Sequence, residues 1–145
     1  MPLNPEQFSY RGSHQPDVEE KVRFHELDRA MPKFYENPHH YIHDYDGSDF
    51  YGAKEAKRSA RIARGNPEAD VVVYRGVPKG VETINPGDWV TTSRRYAEHH
   101  ASGNLPKDVE PSVIRAVTKA KHITFGGNDA YEFGYAGQDP LTHKD

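Results

Sequence analysis

Apolar positions recur with a helical period in the first half of this chain and with a strand period in the second. Asp17, followed three residues on by Glu20, has the form of a capping box and predicts a helix through about Leu27, with Val18, Val22 and His25 on one face. The polar, proline-rich residues 1–16 before it read as an extended arm. Ala56, Ala60 and Ala63 repeat with helical spacing and Gly65 supplies a stop, so a helix is expected from Ala53 to Arg64. Its other face carries Lys54, Lys57, Arg58 and Arg61. Residues 32–52, crowded with Tyr, His, Asp and Pro, keep neither period. They read as a long ordered loop with at most one helical turn, covering either the core or a ligand.

From Asp70 onward the pattern changes. DVVVYRG (70–76) reads as a buried strand, 77–87 as a turn-rich link, and DWVTTS (88–93) as a second strand. Ser93 can cap a short helix, RRYAEHHA, followed by a loop over 102–111. SVIRAVTKA (112–120), KHITF (121–125) and YEFGY (131–135) are the third, fourth and fifth strands, the last after the turn FGGND. Helices first and strands later make the fold class α+β, with an antiparallel core of about five or more short strands. The tripeptide Tyr-Arg-Gly occurs at 10–12 and again at 74–76, without any longer repeat.

A length of 145 residues matches one domain, 1–145, with one core. Nine Tyr, six Phe and one Trp compensate in that core for few Leu and Ile, and eleven Pro and twelve Gly imply many loops. With 19 Lys and Arg against 22 Asp and Glu, a globally cationic nucleic-acid binder is not indicated. The absence of cysteine excludes disulfides, thiolate metal sites and a cysteine nucleophile. The N-terminal residues hold no apolar run of the signal-peptide kind, and no stretch has membrane-spanning length, so a cytoplasmic protein is expected.

The candidate chemistry lies at strand ends. In YEFGY, period two puts Tyr131, Phe133 and Tyr135 on a core face and Glu132 opposite, beside Gly134, where space is open for a ligand. In VVVYRG, Arg75 ends an apolar row with Val71 and Val73, and a guanidinium there needs an anion, either a carboxylate or a phosphate. In DWVTTS, Trp89, Thr91 and Ser93 align two hydroxyls beside a large ring. Taken together, over about residues 70–136, these features resemble the toxin-like mono-ADP-ribosyltransferase family. Tyr74-Arg75-Gly76 resembles its arginine motif, Trp89-Val90-Thr91-Thr92-Ser93 its hydroxyl motif, and Glu132 its catalytic glutamate. The whole chain is also similar to uncharacterised domains of phage and mobile-element proteins.

The resemblance implies a split β core around an NAD cleft and transfer of ADP-ribose to a macromolecular target, protein or nucleic acid, with no metal. Glu132 would bind the nicotinamide-ribose 2′-OH and stabilise an oxocarbenium-like state. Arg75 would hold the phosphate side, Gly76 would offer backbone groups to the carboxamide, and Thr91 would orient Glu132. Tyr74, Trp89, Thr92 and Ser93 would complete the cofactor site. Thr91 stands where the family often has Ser. Ala130 stands where members that modify arginine or asparagine usually carry Glu or Gln, which leaves the acceptor open.

Each feature also has a plain structural reading. Arg75 can pair with Asp88 or Glu132, the residues Thr91, Thr92 and Ser93 can be a strand end and a helix cap, and Glu132 can sit at a solvated edge. His39, His40 and His43 have a spacing that can share a metal ion, but Pro38 beside them favours a loop-packing cluster. His99 and His100, being adjacent on a helix, are expected to diverge at the surface, and the basic face over 54–64 reads as solvated. Two other functions compete with NAD chemistry. One is a metal-independent ribonuclease, against which stands the absence of His from the three strand motifs. The other is a non-catalytic interaction module on the same fold.

Overall fold

A computed structural model describes residues 22–43, 48–126 and 129–144. The arm 1–16, the capping-box residues Asp17 and Glu20 and the first Tyr-Arg-Gly lie outside them. Helix and antiparallel sheet are mixed, as an α+β fold requires. The longest pairing joins β1 (Asp70–Pro78) to β4 (Pro111–Lys119), antiparallel and in register from Asp70↔Lys119 to Pro78↔Pro111. A second sheet has the order β3 (Trp89–Val90), β6 (Phe133–Tyr135), β5 (Ile123–Phe125), also antiparallel. The two sheets are joined where Tyr74 and Thr91 bridge, each N–H donating to the other's carbonyl at 2.8 and 2.9 Å. The turn-rich link 77–87 also holds a short strand, β2 (Thr83–Ile84), which pairs antiparallel with β7 (Leu141–Thr142).

Helix α1 (Ala53–Ala63) buries Ala53, Ala56, Ala60 and Ala63, as the alanine spacing predicts, and leaves Lys54, Arg58 and Arg61 in solvent. The chain leaves it at Gly65, whose φ of 71° suits a glycine, and the Gly65 N–H donates to the His25 carbonyl. Helix α2 (Arg94–Asn104) opens at Ser93, whose hydroxyl accepts from Tyr96 N at 3.1 Å. It runs three residues beyond the expected end at Ala101, with the Asn104 side chain donating to the His100 carbonyl in its last turn.

A continuous helix through Leu27 is not what forms in the described part of that segment. Val22 and Arg23 lie along β5 instead, with Phe125 N donating to Val22 O and Arg23 bridging Thr124. Only Phe24–Arg29 then turns, as a 3₁₀ helix broken at Glu26. Three residues per turn bring Phe24 and Leu27 to one side, and both are fully buried. Phe24 meets Phe133 edge to face at 5.1 Å, and Phe34, Tyr35 and Ile42 of the expected loop join the same core. That loop carries one short 3₁₀ turn, Pro38–His40. No helix among the described residues is long and apolar enough to cross a membrane.

α2 packs directly on β1 because Gly76 has no side chain. A Cβ there would lie 2.5 Å from the Ala97 carbonyl oxygen and 2.8 Å from Ala101 Cβ. Gly76→Ala is therefore expected to cost about 1–3 kcal/mol of stability in urea denaturation, the usual scale for overpacking. Gly103→Ala on α2, with nothing within 4 Å of the added carbon, should leave stability unchanged or raise it by up to about 1 kcal/mol.

Candidate functional site

The bridge and the second sheet set the three motifs side by side. Tyr74 faces Thr91, and the same segment pairs Trp89 with Gly134 and Val90 with Phe133. The hydroxyl motif thus lies between the arginine motif and the strand that follows Glu132. Thr91, Thr92 and Ser93 are all buried, and Trp89 is 2% exposed.

Arg75 is 3% exposed. Its Nη1 donates to the Trp89 carbonyl at 2.8 Å, its Nε lies 3.8 Å from Asp88 Oδ2, and its guanidinium sits 5.3 Å from the Trp89 ring centre. The anion that Arg75 meets in this structure is therefore a carboxylate. Tyr74 is engaged as well, its hydroxyl donating to Glu55 Oε2 at 2.9 Å, while Glu55 Oε1 accepts from Arg94 N at the start of α2. Burial and the Glu55 carboxylate hold the Tyr74 hydroxyl above the usual tyrosine range.

The strand expected over 131–135 is shorter than its alternation suggests, and Tyr131 and Glu132 lie outside it. Asp129 makes a turn there, its Oδ1 accepting from Tyr131 N at 2.7 Å and its carbonyl from Glu132 N at 3.3 Å. Those two N–H groups are thereby taken from the ladder, which begins only at Phe133. Glu132 is half-buried, and its Oε1 accepts from the Tyr96 hydroxyl at 2.7 Å. Burial, Asp129 and Glu132 together raise Tyr96 far above the usual tyrosine range. Tyr96 is therefore a permanent donor to Glu132 and never a base at physiological pH.

Beside this pair opens a cleft of ≈620 Å³. One wall is the face of α2 that carries Tyr96, His99, His100 and Asn104, and the other is formed by Tyr51, Asp129 and Tyr131. The Tyr96 and Tyr131 rings stack at 4.9 Å with only 2° between their planes, and Tyr51 tilts toward both. His99 stacks on Phe50 at 3.9 Å and its Nε2 donates to the Phe50 carbonyl. His100 packs edge-on to Trp89 at 4.3 Å.

His99 and His100 do diverge, onto Phe50 and onto Trp89, yet both line the cleft. The cleft is wide enough to receive both, one at each flank of the same helical face. The spacing Tyr96, His100, Asn104, four residues apart each time, was the available signal for this wall. His39 and His40 stack on one another in solvent, and no group of three His, Asp or Glu among the described residues is placed to hold a metal ion. The chain matches no family model, no curated protein and no solved structure, so the site is argued from its geometry.

Two outcomes follow for stability. Arg75→Met should cost about 3–5 kcal/mol in urea denaturation, because it leaves Asp88 buried without the guanidinium. Tyr35, Tyr74, Tyr96 and Tyr135 are all raised, in each case chiefly by burial. The unfolded chain then loses those protons first, above a pH of about 10, so stability should fall as pH rises through that value and not below it. Tyr96→Phe should make that alkaline loss shallower, as read by denaturation at a series of pH values.

Proposed function

We propose that this chain is an NAD-dependent ADP-ribosyltransferase-like enzyme whose substrate enters the aromatic cleft and meets Glu132 at its inner end. The observation that carries the reading is the order of the three motifs in space: Tyr74 bridges Thr91, and the Thr91 segment pairs with the strand that opens just after Glu132. Residues far apart in sequence are thereby brought onto neighbouring strands, and Glu132 is linked to the cleft by its hydrogen bond from Tyr96, which lines it.

The walls suit such a ligand. Flat phenol faces accept a planar ring, and a cationic ring gains further from the π-faces and from Asp129. In the reaction the bond between the ribose C1′ and the nicotinamide nitrogen breaks, and nicotinamide leaves neutral with the electron pair. The ribose carbon becomes oxocarbenium-like, and the Glu132 carboxylate stabilises its developing charge. An acceptor nucleophile then bonds to C1′ and gives up its proton. Tyr96 keeps one Glu132 oxygen fixed by hydrogen bonding, so that the carboxylate needs little reorganisation as charge develops.

Arg75 enters this scheme as a positioning residue. Its bonds to Asp88 and to the Trp89 carbonyl hold the segment that leads to Thr91.

Glu132→Gln tests the reading. It removes the charge and keeps the shape, so nicotinamide release should fall by about 10²–10³ while calorimetric NAD affinity stays nearly constant. Full NAD cleavage by a folded Glu132→Gln variant would refute the role. The two imidazoles in the cleft favour a second reading, a metal-independent ribonuclease. RNA cleavage without NAD, abolished in His99 and His100 variants, would select it.

A further inference from the structure

The cleft is electrically two-sided. Asp129 lies on the side of the turn before β6, with Glu132 behind it on the Tyr96 hydroxyl, and His99 and His100 lie on α2. Among the described residues that line it there is no Lys or Arg, and Arg75 is buried against Asp88. A ligand with a cationic ring at one end and a phosphate at the other would match this polarity. Among the described residues of the cleft wall, positive charge for its phosphate end can come only from the imidazoles.

We infer that His99 and His100 form the pyrophosphate-binding wall of the cleft, in place of the arginine that the resemblance implies. This rests on the NAD reading of the same site. Position supports it: His99 and His100 follow Tyr96 on α2 by three and four residues, about 4.5–6 Å along the helix axis. The phosphates thus fall roughly one sugar away from the carbon that Glu132 faces. Chemistry supports it too. The Nε2 proton of His99 is committed to the Phe50 carbonyl, so protonation adds its second donor, at Nδ1, together with a full charge.

Other charged and titratable groups among the described residues surround the two imidazoles. Tyr51 approaches from the segment before α1; Asp129, Tyr131 and Glu132 from the turn before β6; and Tyr96 from α2 itself. Asp88, near Trp89, is tied to Arg75, while Arg94 pairs with Glu98 and Arg95 with Asp49. Histidine is the side chain among these whose ordinary titration falls between about pH 5 and 8. The pyrophosphate keeps its charge over that range, so NAD should bind more tightly as pH falls.

Calorimetry with NAD at pH 6 and pH 8 tests this, with Trp89 fluorescence checking the fold at each pH. The wild-type chain should bind about tenfold more tightly at pH 6, the scale of one added charge-assisted hydrogen bond. His99→Gln with His100→Gln should abolish that difference and lower affinity at pH 6. Nicotinamide riboside, which has the cationic ring and no phosphate, should bind no more tightly at pH 6 than at pH 8. NAD binding that is equal at both pH values, or a pH difference that survives in the double variant, overturns the inference and leaves the NAD reading standing. Absence of NAD binding by the folded wild type at both pH values overturns the two together.

Discussion

Everything at the candidate site depends on the two hydrogen bonds between Tyr74 and Thr91. At 2.8 and 2.9 Å they tie the nine-residue ribbon of β1 and β4 to the small sheet of β3, β6 and β5. β3 itself is only two residues long and could hold no register alone. Its register is set from both sides, by the bridge to Tyr74 and by the pairing with β6. Arg75, the next residue after the bridge, adds a bond to the Trp89 carbonyl, so the segment is held just before Thr91 as well.

Helix α2 is the second member of this frame. Its first turn is satisfied twice over, by the Ser93 hydroxyl on Tyr96 N and by Glu55 on Arg94 N. Glu55 also receives the Tyr74 hydroxyl, and the Ser93 hydroxyl donates to the Tyr51 carbonyl at 2.5 Å. One start of helix is thus bound to α1, to β1 and to the segment bearing Tyr51. Gly76 lets the helix lie against β1 over Ala97 and Ala101. The face left over, Tyr96 to Asn104, is free to line a cleft.

Local signals were legible in the sequence and non-local ones were not. The alanine spacing of α1, its glycine stop, the Ser93 cap and the apolar runs of β1 and β4 each act over a few residues, and each appears as read. The capture of Val22 and Arg23 by β5, which shortens the expected helix, depends on a partner a hundred residues away. The pairing of β2 with β7 likewise depends on a partner far along the chain, Thr83 with Thr142. At Glu132 the competing force was local but polar: the Asp129 side chain offered Tyr131 N an acceptor, and alternation of apolar residues cannot register that. Adjacency on a helix sends the two imidazoles onto different rings, but it does not reveal that both line one cleft. Against a broad concave wall, two residues 100° apart can face the same space.

This frame also decides how Thr91 can act. It is fully buried, so its influence on Glu132 has to pass through other groups. The contacts form a continuous series. Thr91 Oγ1 accepts from Ser93 N at 3.2 Å, the Ser93 hydroxyl accepts from Tyr96 N at 3.1 Å, and the Tyr96 hydroxyl donates to Glu132 at 2.7 Å. The first two steps fix where α2 begins, and the third uses the first turn of that helix to aim the carboxylate. A serine could make the same bond at position 91, and the methyl group that threonine adds is fully buried. The Thr91 hydroxyl is thus linked to the Glu132 carboxylate through the helix start and not by direct contact.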